Sequence, residues 1–313
     1  MASIPSEQQH PSLDNLDPAE FLATHWQRAP LLVRSALPAN LAGVPQQRLL
    51  ELATSDDVES RTVQRHRAPD SWQLEQGPVA PGVMSGLPER DWTLLVQGAD
   101  LWEPGVRDVL HAFDFLPRWR LDDVMVSLAT PGGGVGPHSD QYDVFLLQVE
   151  GRREWQIGSA AELGQSGDIA PERFKAAASW ELEPGDLLYL PPGVPHWGTA
   201  ITECQTWSVG FRAPTLADML GDLAIELMAQ DNDPRFTDPP LTPAMAGATV
   251  DPAFFKRARA MLQQLLDDDQ LIEDWFCRYM TAPKYPDLTE LTGESRQASV
   301  HGRRYCNGEL TEE

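Results

Sequence analysis

Between about residue 120 and Arg212 the chain is cut into short apolar segments, LDDVMVSLAT, YDVFLLQVEG, REWQIG, SWELEPGDLLYLPP and CQTWSVGFR, separated by glycine, proline and acidic turn residues. Segments of this length, rich in Val, Leu, Tyr, Phe and Trp, favour extended backbone over helix. Strands cannot leave their backbone N–H and C=O groups unpaired, so this many in succession must close on one another. A double-sheet jelly roll is one of the few architectures that closes them around an interior pocket. The expectation is therefore a mainly β chain with some α structure, a double-stranded β-helix core followed by a helical module.

The flanking regions read differently. DPAEFLATHWQRAPLLVR predicts a short helix with Phe21, Leu22 and Trp26 on one side, ended near Pro30 and followed by the strand Leu31 to Val33. Residues 45 to 116 mix helical stretches with turn signals, and Trp72, Trp92, Trp102 and Trp119 read as packing residues. After Arg212, TLADMLGDLAIELMAQ opens with a capping pattern from Thr215 to Asp218 and carries Leu216, Met219, Leu220, Leu223, Leu227 and Met228 at helical spacing. DPAFFKRARAMLQQLLDDD places Asp251 and Pro252 at the N-cap and first turn of another helix, and QLIEDWFCRYM follows with an apolar face. The expected division is 1–212 for the catalytic β unit with its N-terminal elements, 213–282 for a helical module that buries its stripes in a core or subunit interface, and 283–313 for a short terminal segment.

Charge and cysteine usage narrow the function. A net charge of −23 opposes binding to a phosphate backbone, which calls for a basic face, and favours a basic partner. Cys204, Cys277 and Cys306 show no C-x-x-C spacing, as expected of free thiols in a reducing compartment. The start has neither the basic region nor the apolar run of a signal peptide, and no stretch of about 18 apolar residues occurs. These readings predict a cytoplasmic protein with no membrane association and no direct nucleic-acid contact.

The chemistry concentrates in PGGGVGPHSDQYDVF. His138 and Asp140 stand two apart, and on an extended strand such residues share a face, so an imidazole and a carboxylate can share one ion. His196, after the turn in GDLLYLPPGVPHWG, is the candidate third ligand. Two histidines and one carboxylate on one face of an octahedron leave three positions open, the arrangement of non-haem Fe(II) oxygenases; zinc is usually held by four ligands, or by three and a water. His10, His25, His66, His111 and His301 lack metal spacing and read as structural or solvated.

PHSDQYDVFLLQVEGRREWQIG together with PGDLLYLPPGVPHWG resembles the JmjC-type cupin oxygenases, and most closely the bacterial ribosomal oxygenases that hydroxylate an arginine in a large-subunit ribosomal protein. FLATHWQRAPLLVR resembles the opening element of that group, so the similarity runs from about residue 16 to about 280. The resemblance implies Fe(II) held by His138, Asp140 and His196, with 2-oxoglutarate and O2 as co-substrates. It implies Arg153, in G-R-R-E-W, as partner of the distal carboxylate of 2-oxoglutarate, with Ser127 as a further hydroxyl contact. Arg152 is the rival, although strand alternation turns it the other way. Asp122, Asp123, Tyr142 and Asp143 flank the expected pocket as candidate contacts for a cationic substrate. The resemblance further implies a homodimer and a basic ribosomal protein as partner. Family members usually continue into a winged-helix-like domain, of which 283–313 would be an incomplete or truncated counterpart. Two alternatives stay open: N-methyl-lysine demethylation by the same chemistry, and a non-enzymatic cupin-like binding protein.

Overall fold

The fold comes from a computed structural model, which describes residues 13–38, 41–67, 70–80, 82–158, 167–229, 234–293 and 295–312. His10 lies outside the described residues. The chain divides into two compact units, Met1–Ala213 and Pro214–Glu313.

Among the described residues, the first unit has thirteen strands: β1 (Leu31–Val33), β2 (Ser60–Arg67), β3 (Asp70–Gln76), β4 (Trp92–Val96), β5 (Leu121–Ala129), β6 (His138–Ser139), β7 (Val144–Glu150), β8 (Arg153–Gly158), β9 (Gly167–Asp168), β10 (Ala176–Leu182), β11 (Leu187–Leu190), β12 (His196–Ala200) and β13 (Cys204–Phe211). They form two antiparallel sheets, one in the order β1-β11-β7-β13-β5-β4-β2-β3 and the other β10-β8-β12-β6-β9. Apart from the consecutive pairs β4-β5 and β2-β3, neighbours in both sheets are non-consecutive, which gives the double-stranded β-helix its crossed connections.

Alternation along the strands decides what each face meets. On β7, Phe145, Leu147 and Val149 join the main core with Phe21, Leu49 and Phe113 from the N-terminal segments; Val144 and Leu146 pack instead with Trp155 and Ile157 of β8. β11 divides the same way, Leu187 and Tyr189 to the main core and Leu188 and Leu190 toward the small sheet. On β5, Val124, Val126 and Leu128 belong to the main core, which turns Asp123, Met125 and Ser127 to the opposite face, toward the small sheet. Trp207, Val209 and Phe211 of β13 leave Thr206 and Ser208 on that inner face too. The space between the sheets is thus apolar along β7 and β11 and polar along β5 and β13.

Two parts of the chain depart from the reading of the sequence. Within residues 45–116, β2, β3 and β4 extend the large sheet past β5. SRTVQRHR and DSWQLEQ carry too few aliphatic residues to stand out as strands, because near a sheet edge one face is solvated and needs no apolar side chains. Trp92 and Trp102 do pack in the main core, whereas Trp72 sits half-buried outside it.

The second unit contains the helices Leu216–Ala229, Pro252–Leu266 and Asp269–Thr281. Residues 283–313 form the helix Pro286–Thr292 and a three-stranded antiparallel sheet, β14 (Gln297–Val300), β15 (Arg303–Cys306) and β16 (Glu309–Glu312). This segment packs on Asp269–Thr281: the buried Tyr305 donates its hydroxyl to Asp274, and Arg303 pairs with Glu273 at 2.8 Å and Asp274 at 2.6 Å.

In the Gly-rich run before β6 the chain passes so close to β12 that a Cβ on Gly134 would lie 2.2 Å from the Gly198 carbonyl oxygen. Backbone cannot yield to that contact as a flexible side chain would. Gly134→Ala is expected to destabilise the unit by about 1–3 kcal/mol, the usual cost of overpacking, read as a lower urea midpoint with an unchanged slope.

Candidate functional site

The two candidate histidines meet because β6 and β12 are neighbours, and the register sets His138 opposite His196 with ring centroids 4.2 Å apart. Asp140 lies just beyond β6, its Oδ2 3.7 Å from His196 Nε2 and 4.0 Å from His138 Nε2. One donor atom from each of the three lies within 4.8 Å of the others, and among the described residues this is the one such group of His, Cys, Asp or Glu. The other described histidines stand elsewhere: His25 is stacked on Phe21, His66 bonds Gln73, His111 meets Arg118 and Asp114, and His301 meets Glu273.

Backbone carbonyls orient both rings. His138 Nδ1 lies 3.0 Å from the Gly136 carbonyl and His196 Nδ1 lies 2.9 Å from that of Val194. A carbonyl can only accept, so each Nδ1 carries the proton and each Nε2 presents its lone pair toward Asp140. The Gly193 N–H donates to the Asp140 carbonyl oxygen at 2.6 Å, tying the turn before His196 to the backbone of the candidate carboxylate donor.

Burial pushes the pKa of His196 down to about 3, and the neighbouring His138 adds to the effect, so the His196 imidazole is neutral at physiological pH, the form a metal ligand needs. Burial also raises the Asp140 carboxyl above its usual range, opposed by His138, by a hydrogen bond from Tyr142 and by Arg61. A divalent cation among these three groups would stabilise the anionic carboxylate and accept both Nε2 lone pairs, so the donor set fits a facial 2-His-1-carboxylate metal site.

Next to this cluster a guanidinium is buried between the sheets. Arg153 opens β8 and is only 5% exposed; its Nη1 donates to Ser127 Oγ of β5 at 3.1 Å and to Thr206 Oγ1 of β13 at 3.3 Å. Thr206 in turn donates to Gln148 Oε1 at 3.0 Å. No carboxylate among the described residues forms an ion pair with Arg153, and its Nε is buried without a hydrogen-bond partner. The Trp155 ring lies 5.5 Å from the guanidinium and 5.8 Å from the His196 ring, linking this cation to the candidate metal donors. Arg152, one residue earlier, is exposed and pairs with Glu181 at 2.6 Å. A buried cation with donors to spare suits a carboxylate ligand.

The candidate substrate contacts separate by strand face. Asp123, on the inner face of β5, is buried and takes both hydrogen bonds of the Gln97 side-chain amide, at 2.9 and 2.8 Å. Tyr142 reaches Asp140 with its hydroxyl and keeps 42% of its surface exposed. Asp122 is turned the other way and pairs with Arg212 at 3.5 Å. Asp143 is the clear correction. Fully buried, it shares the face of Phe145, and its carboxylate accepts from the Tyr189 hydroxyl at 2.6 Å, Gln27 Nε2 at 3.1 Å and Arg120 Nη2 at 3.3 Å. Parity with Phe145 and Leu147 carries that signal in the sequence. Thr206 and Trp155 were not singled out by spacing, although alternation along CQTWSVGF and REWQIG places them on the inner face.

This constellation has counterparts among known proteins. Residues 108–219 match the JmjC domain. The ribosomal protein uL16 3-hydroxylase of Escherichia coli K12 is 34% identical over 271 residues, covering 85% of this chain and 72% of that protein. The chain belongs to the JmjC-type ribosomal oxygenases. A probable ribosomal oxygenase of Haemophilus influenzae is also 34% identical, over 81% of this chain and 64% of its own length, so the chain spans a little under two thirds of that relative. The solved structure of an Escherichia coli ribosomal oxygenase in complex with cobalt and 2-oxoglutarate superposes with a TM-score of 0.86 at 31% identity, over 97% of this chain and 87% of that one. Like the other JmjC-type oxygenases, this chain is a 2-oxoglutarate-dependent dioxygenase with iron as its metal and a cupin-type jelly roll as its core. No described helix of this oxygenase is long and apolar enough to cross a membrane.

Asp143→Ala removes the acceptor of the Tyr189 hydroxyl and the carboxylate partner of Arg120, which keeps its bonds to the Arg212 carbonyl. Its stability in urea should fall by about 3–5 kcal/mol, the cost of removing one partner from a buried charged pair. Asp122→Ala, removing a partly exposed pair, should lose at most about 1 kcal/mol.

Proposed function

We propose that this oxygenase hydroxylates an arginine side chain, at carbon, on a basic protein of the large ribosomal subunit. His138, Asp140 and His196 hold the Fe(II), and Arg153 with Ser127 anchors the distal carboxylate of 2-oxoglutarate. The observation that carries the reading is the buried Arg153 guanidinium, close to a ready set of metal donors and without a carboxylate partner among the described residues. A cation so placed needs an anionic ligand to offset its desolvation.

With iron and 2-oxoglutarate bound, the site would supply C–H hydroxylation by O2, one oxygen atom entering the substrate and the other succinate, with carbon dioxide released. The chain's own residues bind and orient. Arg153 holds one end of the co-substrate through charge-assisted hydrogen bonds, and Ser127 and Thr206 fix the guanidinium from the opposite sheet. Trp155 and the apolar inner face of β7 exclude water from one side of the chamber. Asp123 and Tyr142, beside Asp140, offer a carboxylate and a hydroxyl for a substrate guanidinium, and the net charge of −23 steers a cationic partner toward the protein. This substrate fits the name of the Escherichia coli relative, a hydroxylase of ribosomal protein uL16. We further propose that the helical module mediates a homodimer, since Leu216, Leu220, Ile225, Met228, Phe255 and Leu262 are exposed on its helices.

Oxygen uptake by the purified protein should require both Fe(II) and 2-oxoglutarate, and Asp140→Ala should abolish it. Arg153→Met should raise the 2-oxoglutarate requirement about 10- to 100-fold, matching the loss of one charge-assisted bond of about 1.5–3 kcal/mol, without loss of cooperative folding. Transfer of that effect to Arg152→Met would reassign the anchor. Intact masses of ribosomal proteins from a strain lacking the gene and from its parent test the substrate. One added oxygen on an arginine of a large-subunit protein is expected in the parent alone; a methyl loss on lysine would point to demethylation, and identical masses would remove the ribosomal substrate. Sedimentation at micromolar concentration should find a dimer, and a monomer would refute that assignment.

A further inference from the structure

The two histidines are not secured alike. His196 is buried with its Val194 acceptor inside the turn before β12, whereas the His138 side chain is 21% exposed and relies on a carbonyl in the Gly-rich run. That carbonyl belongs to Gly136, a residue at φ +85°. A Cβ on Gly136 would lie 3.1–3.3 Å from the Trp72 ring, so the loop passes directly against the indole. Trp72 comes from β3, in the part of the large sheet that precedes the residues matching the JmjC domain.

Trp72 is itself held from two sides. Its cross-strand partner on β2 is Arg65, whose guanidinium lies 5.3 Å from the Trp72 ring and 5.3 Å from the Trp197 ring. Trp197 follows His196 on β12 and meets Trp72 edge-on at 5.8 Å. The stack therefore joins an outer strand of the large sheet to the ligand-bearing strand of the small one, and the Gly136 turn runs against it.

We propose that Trp72, braced by Arg65 and Trp197, is the positioning residue for His138. It packs the Gly136 turn in the one arrangement where the carbonyl receives the His138 Nδ1 proton, which keeps Nε2 aimed at the metal. Without the indole the turn has open space in place of a wall, and the Gly136 carbonyl can rotate toward water. His138 then loses its fixed tautomer and orientation, while His196 keeps both. The effect reaches the metal through a hydrogen-bond partner, and disturbing such partners typically weakens metal binding about 10- to 100-fold.

The inference rests on the metal assignment of His138 and His196, and cobalt(II) alone as probe separates the two. Wild-type protein loaded with Co(II) should show two paramagnetically shifted, exchangeable imidazole N–H proton resonances. Their absence would overturn the metal assignment itself. In Trp72→Leu the Co(II) dissociation constant should rise about 10- to 100-fold, and one of the two resonances should broaden through faster solvent exchange while the other stays sharp. Trp72→Phe, which keeps an aromatic wall, should restore both to near wild type. Unchanged Co(II) affinity with two sharp resonances in Trp72→Leu would overturn the proposal, and so would equal loss of both resonances, which would mean general loosening. Should Trp72→Leu fail to fold, Arg65→Met withdraws the brace while keeping the indole, and the same selective broadening is expected from it; two unaffected resonances there would overturn the proposal.

Discussion

Two imidazoles and a carboxylate brought to within 4.8 Å of one another form the constraint that the rest of the first unit answers. Such groups prefer water, and the site exacts its cost in both directions, pushing the His196 pKa down and the Asp140 pKa up. Holding them together falls to backbone: one strand pairing that sets His138 against His196, two carbonyls that take the Nδ1 protons, and the Gly193 N–H on Asp140. The hydrogen bonds that define sheet and turn thus also define the donor geometry. Side chains contribute mainly by enclosing it, and the candidate donors sit on two paired strands and just beyond the end of one of them.

The same sheets build a second polar site without disturbing the first. Alternation splits each central strand between a hydrophobic layer and an interior lined by Ser127, Thr206, Gln148 and Arg153 along one part and by Val144, Leu146 and Leu188 along another. A guanidinium survives there because its plane lies near an indole and its Nη1 meets two hydroxyls from the facing sheet. One interior thus holds a polar half around Arg153 and an apolar half around Trp155 and Leu146.

Much of this was legible in the sequence wherever the signal is local. His138 and Asp140 are two residues apart, and the alternation that separates Arg153 from Arg152 is a property of a single strand. The fate of Asp143 was not legible, because its partners Gln27 and Tyr189 lie 116 and 46 residues away and nothing in DQYDVF names them. β2 and β3 escaped notice for a related reason: their polar faces look like loop, and it is pairing with β4 that makes them strands. Trp72 was read as packing, and only the approach of the Gly136 turn reveals what it packs against.

The bonds that close the N-terminal segment onto the jelly roll span long stretches of chain: the Gln27 N–H meets the Tyr189 hydroxyl 162 residues later, and Val44 exchanges two hydrogen bonds with Gln205 161 residues later. During synthesis these particular bonds must therefore wait until β11 and β13 have been made. At a ribosome speed of about 5–20 residues per second that interval is roughly 8–30 s, far longer than local collapse takes. These bonds accordingly close long after their N-terminal partners have been translated, so the last links of the unit are also those that reach furthest back along the chain.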